Sequence, residues 1–217
     1  VADSILITGG HGCLATAIAG YFLDQDPNDT VWTPSRQELD VTCEASIAEY
    51  MSDHPCSLLV CAAGEINDRL IAKTSTSLWD QIVATNLHGA ALCAREAIKS
   101  MQKNGIGHII FISSYSAIHP PMGQIAYASA KAGLLGLTKS LAREYGSSQI
   151  RVNTILPGFM ENTMTAAVPL TRKEQILSDH VLGHFNTEKQ VAQFIHLLHK
   201  NLLHTSGQII NLDSRIL

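Results

Sequence analysis

Six short runs of this chain are apolar almost from end to end, and stretches with helical spacing separate them. The runs are "SILIT" (Ser4–Thr8), "TVWT" (Thr30–Thr33), "SLLVC" (Ser57–Cys61), "HIIFIS" (His108–Ser113), "IRVNTI" (Ile150–Ile155) and "QIINL" (Gln208–Leu212). A strand with one face in water alternates apolar and polar residues, whereas a strand that is apolar throughout is covered on both faces. Parallel strands need a crossover of about a dozen residues, usually a helix. Segments near 13–24, 43–52, 77–103, 124–146 and 187–200 supply such helices, the last opened by a capping-box pair, Thr187 and Gln190. The pattern predicts the α/β class, a doubly wound parallel sheet with helices on both faces. One interval breaks the rhythm. Only "PSRQ" separates Thr33 from Glu38, too little for a helical crossover into "ELDV" (Glu38–Val41). Either "ELDV" is a brief extended segment at the sheet edge or the sheet has lost a strand there. The helix between strands two and three is accordingly shortened or lost.

At 217 residues, with no repeat, linker or low-complexity stretch, the chain reads as a single domain, 1–217. Such a length buries roughly 70–75% of the unfolded surface. The formal net charge of −4 carries no basic stripe, which argues against nucleic acid and anionic membranes as partners. No apolar run approaches the roughly 20 residues of a membrane span. The opening "VADSILITGG" lacks the basic and long apolar regions of a signal peptide. Cys13, Cys43, Cys56, Cys61 and Cys93 are odd in number and form no CxxC, so reduced thiols in a cytoplasmic protein are expected. His180/His184 and His196/His199 have helical spacing but no HExxH and no clustered carboxylates, and no metal is expected.

The first apolar run enters "TGGHGCLATA". Read as G-x-G-x-x-A, the working positions are Gly10, Gly12 and Ala15, and Cys13 simply starts the helix. In a dinucleotide loop the first position permits the tight turn. The second lets backbone approach the pyrophosphate, and the third allows close helix–sheet packing, which alanine can also serve. The helix N-terminus offers free N–H groups and partial positive charge to phosphates. Farther on, "YASAK" puts Tyr127 and Lys131 one helical turn apart. An ammonium beside a phenol favours phenolate and lowers a pKa near 10, which suits proton exchange with a carbonyl or alcohol oxygen.

Four further landmarks stand in order: "VCAAG" at the end of the third run, "NLHGA" with Asn86, "IIFISS" ending in Ser114, and "ILPGF" with Pro157 and Gly158. Together with the loop and "YASAK", these resemble the short-chain dehydrogenase/reductase family in its compact single-domain branch, over Ser4 to Leu212. "GQIAYASAKAGLLGLTKSLAREY" and "IRVNTILPGF" are most similar in texture to 3-oxoacyl-acyl-carrier-protein reductases. The resemblance implies a Rossmann-like fold and hydride transfer between a nicotinamide cofactor and a carbonyl or alcohol. It implies Tyr127 as general acid/base and Lys131 as its partner and ribose contact. Ser114 would bond the substrate oxygen, with Ser113 its structural neighbour. Asn86 would kink its helix and tie a water into a proton relay with Lys131. The cofactor would meet Gly9, Gly10, His11, Gly12, Cys13 and Leu14 at the phosphates, and Asp40, Val41, Ala62, Ala63 and Gly64 on the adenosine side. Tyr127, Lys131, Pro157, Gly158 and Asn162 would border the nicotinamide.

The chain departs from the family pattern at several places. The usual glycine spacing would put Cys13 and Ala15 in glycine slots, and the compact reading resembles the loop of sugar-nucleotide and dihydropteridine reductases. Asn162 stands where a threonine often binds the carboxamide, with Thr163 adjacent. "NLDSRIL" replaces a terminal Asp-Gly-Gly. An NAD-selective site expects an acid about 20 residues past the loop. Thr33 to Arg36 holds none, and Ser35 and Arg36, with help from His11, could accept a 2′-phosphate. NADP(H) is therefore the expected cofactor, NAD(H) the alternative, and an Arg36 that is merely exposed is the plain reading.

The segment 159–186 is expected to cover the substrate. Its Met, Val, Leu and Ile suit an apolar or acyl-type molecule, and equally suit a small helical pair packed on itself. A 3-oxoacyl thioester leads, with a pteridine-type ring or another small ketone as alternatives. A non-catalytic cofactor-binding regulator is the reading from a different class. An epimerase or dehydratase shares the Tyr–Lys pair but needs an added domain. By resemblance, the helices near 77–103 and 124–146 would pair subunits into a homodimer or homotetramer.

Overall fold

A computed structural model describes residues 2–216 of the chain. The six apolar runs form β1 (Ser4–Thr8), β2 (Thr30–Trp32), β3 (Leu58–Cys61), β4 (Gly107–Ile112), β5 (Ile150–Leu156) and β6 (Ile209–Asn211). All pair in parallel, in the order β2-β1-β3-β4-β5-β6. Each strand end lies within one residue of its apolar run, because both faces of the strands are covered and the whole run must be apolar.

Seven α-helices are described: α1 (Cys13–Gln25), α2 (Glu44–Asp53), α3 (Thr76–Val83), α4 (Gly89–Asn104), α5 (Ile125–Tyr145), α6 (Leu170–Ser178) and α7 (Glu188–Lys200). Strand side chains alternate between two cores. Leu6, Leu59, Ile109, Phe111 and Val152 pack under α2, α4 and α5 through Ile47, Cys93, Ile98 and Leu134. Ile5, Ile7, Val60, Ile110 and Ile155 meet Ile18 and Phe22 of α1 and Val191, Ile195 and Leu198 of α7. Half of the capping box forms at α7: Thr187 Oγ1 accepts from the Gln190 amide at 3.3 Å, while the Thr187 amide donates to Asn186 Oδ1 rather than to Gln190.

The short interval after β2 resolves into turns. No helix occurs between Thr33 and Cys43, and Glu38–Val41 pairs with no strand. The sheet has therefore lost a strand at this edge, and the ten-residue α2 alone carries the chain from β2 to β3. The helix expected over 77–103 runs without a break over 76–104, and a π-helical turn over Ala84–His88 divides it into α3 and α4. Segment 159–186 contains one helix, α6, rather than a pair.

The histidine pairs serve packing. His199 Nε2 lies 3.1 Å from Asp3 Oδ2, and its Nδ1 lies 3.2 Å from Nδ1 of buried His108, whose Nε2 meets Asn153 Nδ2 at 3.1 Å. His196 sits edge-on to Tyr21 and Phe22. His180 and His184 lie beyond α6 and share no helix.

Candidate active site

The C-terminal ends of β1 and its two neighbours converge on the glycine loop. Gly9 takes φ +74°, and a Cβ there would lie 2.8 Å from Ala63 Cα. A Cβ at Gly10 would collide with the Thr33 carbonyl. The tight turn thus falls on Gly9, and Gly10 is the point of close approach to β2's end. The Gly10 amide donates to the Pro34 carbonyl at 3.2 Å, and the Gly12 amide turns back to Gly9 O at 2.9 Å. Gly12 is the N-cap of α1, with no side-chain cap and no acid in the first turn. Cys13 and Leu14 open the helix, and Ala15 is buried against the sheet in the packing role expected of it. His11 at the loop's crest is exposed. Thr8, a residue the sequence did not single out, pins the corner. Its Oγ1 accepts from the amides of both Ala62 and Ala63 at 3.1 Å. The result is an uncapped helix N-terminus beside a glycine turn, where the strand connections diverge from β1. The donor set fits a dinucleotide pyrophosphate.

Asn86 lies in the π-helical turn, 1% exposed. Its Nδ2 donates to the Ile82 carbonyl at 2.9 Å and the Glu65 carbonyl at 2.8 Å, and its Oδ1 accepts from the Glu65 amide at 3.3 Å. The expected kink is therefore a widened turn, held open by a side chain that reaches a neighbouring loop. Glu65 is the anchor, another group the sequence alone did not show. Gly64 borders both Asn86 and Lys131. A Cβ built there would lie 3.1 Å from Asn86 Oδ1 and 3.6 Å from Lys131 Nζ.

Ser113 and Ser114 take different jobs at the end of β4. Ser113 is buried, and its hydroxyl donates to the Lys131 carbonyl at 2.9 Å, tying α5 to the strand. Ser114 caps the short 3₁₀ turn Tyr115–Ala117, accepting from the Ser116 amide at 3.1 Å, and its hydroxyl favours the ionised form of the Tyr127 phenol. Tyr127 and Lys131 project from one face of α5, with Nζ 5.7 Å from the phenol ring centroid. Lys131 is 4% exposed and donates to the Ile112 carbonyl at 2.8 Å.

The electrostatics differ from the sequence expectation. Burial raises the Tyr127 phenol above its ordinary value, and the Ser114 hydrogen bond offsets only part of that. Burial also lowers the Lys131 ammonium from 10.5 to about 8. Desolvation disfavours the charged form of both groups and is the largest cause of both shifts. The ammonium also spends a proton on the Ile112 carbonyl.

Five of the expected cofactor contacts, Val41, Asn162, Asp40, Arg36 and Ser35, pack against or bond other parts of the chain. Val41 is buried in the core, and Gly89 packs against it so closely that a Cβ there would lie 3.0 Å from Val41 Cβ. Its side chain is therefore not offered to an adenosine. Asn162 is used up by its own loop. Its Oδ1 accepts from the Met164 amide at 3.0 Å, and its Nδ2 donates to Glu188 at 2.8 Å. Thr163, not Asn162, reaches the phosphate loop, with Oγ1 3.6 Å from Cys13 Sγ. Asp40 bonds the Thr42 amide and hydroxyl at 2.9 and 2.7 Å, and these bonds hold its carboxyl below the usual range. Arg36 is exposed, 3.7 Å from Asp40, and the Ser35 amide donates to Glu38 Oε2 at 2.8 Å. Glu38 is the acid that the scan from Thr33 to Arg36 did not reach. The Pro157 carbonyl accepts from Asn186 Nδ2 at 2.8 Å, which fixes the turn at Gly158.

Open doubly wound sheets bind nucleotides in the crevice beyond the strands' carboxyl ends, where the connections diverge. The glycine turn, Asn86, Ser114, Tyr127 and Lys131 all lie at that end of the sheet, which defines a dinucleotide-binding α/β protein. Known proteins place the chain more closely. A family model described as enoyl-(acyl carrier protein) reductase matches residues 32–214. The 3-oxoacyl-[acyl-carrier-protein] reductase FabG of Aquifex aeolicus is 30% identical over 217 residues, covering 97% of this chain and 86% of that protein. The enzyme of the same name from Thermotoga maritima is 36% identical over 72% of this chain and 64% of its own length. The (3R)-3-hydroxyacyl-CoA dehydrogenase of Mus musculus is 37% identical over 66% of this chain and 56% of its own. The chain belongs to the short-chain dehydrogenase/reductase family and is an NAD(P)-dependent oxidoreductase. Among the described residues, no helix is long and apolar enough to cross a membrane.

Proposed function

We propose that the protein reduces a 3-oxoacyl thioester to the 3-hydroxyacyl thioester with NADPH, in a single domain whose segment 159–186 covers the substrate. The observation that carries this reading is the meeting of Ser114, Tyr127, Lys131 and Asn86 beside the glycine turn, in a chain similar to reductases and dehydrogenases named for that chemistry. A nicotinamide cofactor, when bound, would supply the hydride that the carbonyl carbon accepts. Tyr127 gives its phenolic proton to the carbonyl oxygen, and the Ser114 hydroxyl bonds the same oxygen. A phenol kept protonated by burial is ready to act as the acid in the reductive direction. Lys131, with a pKa of about 8, would return a proton to Tyr127, and a water tied in by Asn86 would complete the relay.

The phosphates would lie on Gly10–Leu14 and the adenosine along Ala62–Gly64, with Thr163 at the nicotinamide side. Arg36 and Ser35 would hold the 2′-phosphate, which requires Arg36 to leave Asp40 and Ser35 to give up Glu38. NADH is the second reading, favoured by Glu38, whose carboxylate sits at this corner and could take a ribose hydroxyl. Five free cysteines suit a reducing cytoplasm, and α4 and α5 would pair subunits in a homo-oligomer.

The test follows the oxidation of NADPH and NADH over 3-oxoacyl thioesters, small ketones and quinonoid pterins. Fastest turnover with NADPH and a 3-oxoacyl thioester is expected. Tyr127→Phe should lose about 10²–10⁴-fold in kcat while keeping cofactor affinity. Full turnover in that variant refutes the acid/base assignment. Preference for a pterin or small ketone refutes the substrate class, and cofactor binding without turnover on any carbonyl favours a regulator. Tighter NADH than NADPH binding, reversed by Glu38→Gln, refutes the cofactor choice.

A further inference from the structure

The residues after β6 reach back across the mouth of the site. Asp213 is buried and accepts from the Arg215 amide at 2.9 Å and from Arg215 Nε at 2.9 and 3.0 Å, with Nη2 completing the fork. Burial pushes this carboxyl up, and the Arg215 hydrogen bonds override it and hold the group ionised. The same carboxylate packs on the nicotinamide-border turn, since a Cβ at Gly158 would lie 3.0 Å from Asp213 Oδ2. Asp213 Oδ1 also lies 3.5 Å from Nδ1 of His180, in the segment read as the substrate cover. His180 Nδ1 meets Ser214 Oγ at 2.9 Å, and the Val181 amide donates to the Ser214 carbonyl at 3.4 Å. The Arg215 guanidinium carbon stands 3.6 Å from the ring centroid of Tyr115, the residue next to Ser114. Tyr115 in turn stacks on His119 at 4.8 Å.

One Arg–carboxylate pair therefore joins three segments: the Gly158 turn, the cover at His180, and the turn that Ser114 caps. A bidentate guanidinium is planar and directional, and it can stack and pair at once. His180 Nε2 is buried without a hydrogen-bond partner among the described residues. Leaving such an atom unpaired is costly, so His180 is held by its other side, the side that Asp213 and Ser214 engage.

We propose that Arg215 is a positioning residue for the carbonyl substrate, latching the cover through Asp213 while holding Tyr115 and hence Ser114. The proposal rests on the reading of Ser114 as the group that bonds the substrate oxygen. In the intact protein, Arg215→Ala should lower kcat/KM at least tenfold, chiefly through KM, with NADPH affinity within about twofold. General destabilisation would instead reduce the active fraction, lowering kcat at unchanged KM. Tyr115→Ala should reproduce the effect, Tyr115→Phe should recover most of it, and the double Ala variant should be no worse than either single one. Trypsin cleavage at Arg172 and Lys173 of α6 should quicken in Arg215→Ala. An unchanged KM overturns the positioning role, and additive Ala effects overturn the shared contact. Absence of wild-type turnover on any carbonyl is the failure of the functional reading alone. The trypsin comparison then decides the latch, and equal cleavage rates overturn it.

Discussion

Lys131 gives the sharpest quantitative test, because its place in the site and its cost to the fold point in opposite directions. Its ammonium is buried, with the Ile112 carbonyl as its hydrogen-bond acceptor at 2.8 Å. Lowering its pKa from 10.5 to about 8 corresponds to about 3 kcal/mol against the folded state at neutral pH. Lys131→Met keeps the stem's volume and removes the charge, but it leaves the Ile112 carbonyl without its donor, at about 1–3 kcal/mol. The variant should therefore be more stable than wild type by about 1 kcal/mol at pH 7, while losing turnover. The sign with pH follows from linkage. Between about 8 and 10.5 the unfolded chain binds more protons at this residue than the folded one, so wild-type stability rises with pH across that window. The penalty is complete below about 8 and gone above 10.5, so the variant's advantage should shrink and reverse by pH 10. Urea unfolding of both proteins at pH 7, 9 and 10 measures this. A variant less stable than wild type by more than about 1 kcal/mol at pH 7, with a pH-independent difference, refutes the reasoning.

Thr8→Val should cost about 1–3 kcal/mol, because the Ala63 amide loses the hydroxyl that accepts it while the Ala62 amide keeps the Val60 carbonyl at 3.1 Å. Urea midpoints measure it, cofactor affinity should fall in parallel, and a loss under about 0.5 kcal/mol contradicts the role given to Thr8. Alkylation with iodoacetamide should label Cys13, whose thiol pKa is lowered by the hydrogen bond from Thr163, and exposed Cys43. Cys56 and Cys93, pushed up to about 12 by burial, and Cys61, whose burial also pushes its thiol well up, should resist in the native state. Bound NADPH should protect Cys13 and spare Cys43, and equal labelling with and without cofactor would place Cys13 outside the phosphate site.

What could be read from the sequence was whatever local periodicity encodes. The strands were legible because burial on both faces demands unbroken apolar runs, as in "LLVC" of β3 and "GHIIFI" of β4, whose every residue is buried. Spacing also located Tyr127 and Lys131 on one helix face, and the missing crossover after Trp32 showed as a deficit of residues. The π-helical turn at Ala84–His88 was not legible as such. It depends on Asn86 meeting Glu65, 21 positions away, and composition carries no trace of that pairing. The direction of the Tyr127 shift was missed for a related reason. A Lys one turn away is visible in sequence, whereas the burial of both groups is a property of the packed crevice. Arg215 and Tyr115, a hundred residues apart in sequence, meet only because β6 returns the chain to the site.

The irregular glycine loop makes physical sense once its neighbours are placed. A dinucleotide loop must bring three strand ends close enough that helix α1 begins directly above them. Gly9 meets this on the β3 side, against Ala63, and Gly10 on the β2 side, against Thr33. With both demands met before residue 11, the positions that follow need not be glycine for packing. Gly12 only has to cap α1 without a side chain in the phosphates' way. Cys13 and Ala15 are free to be helix residues, one turned toward Thr163 and the other into the sheet core. Losing the outer strand fits the same economy. Without it, β2 is the sheet edge, and the turn from Thr33 to Val41 folds over the loop and fastens to it through the Gly10–Pro34 hydrogen bond. On the proposed reading, the corner that would choose between a ribose hydroxyl and a 2′-phosphate is the turn carrying Ser35, Arg36, Glu38 and Asp40 within six residues. A single substitution at Arg36 or Glu38 should shift cofactor preference more than changes anywhere in the glycine loop itself.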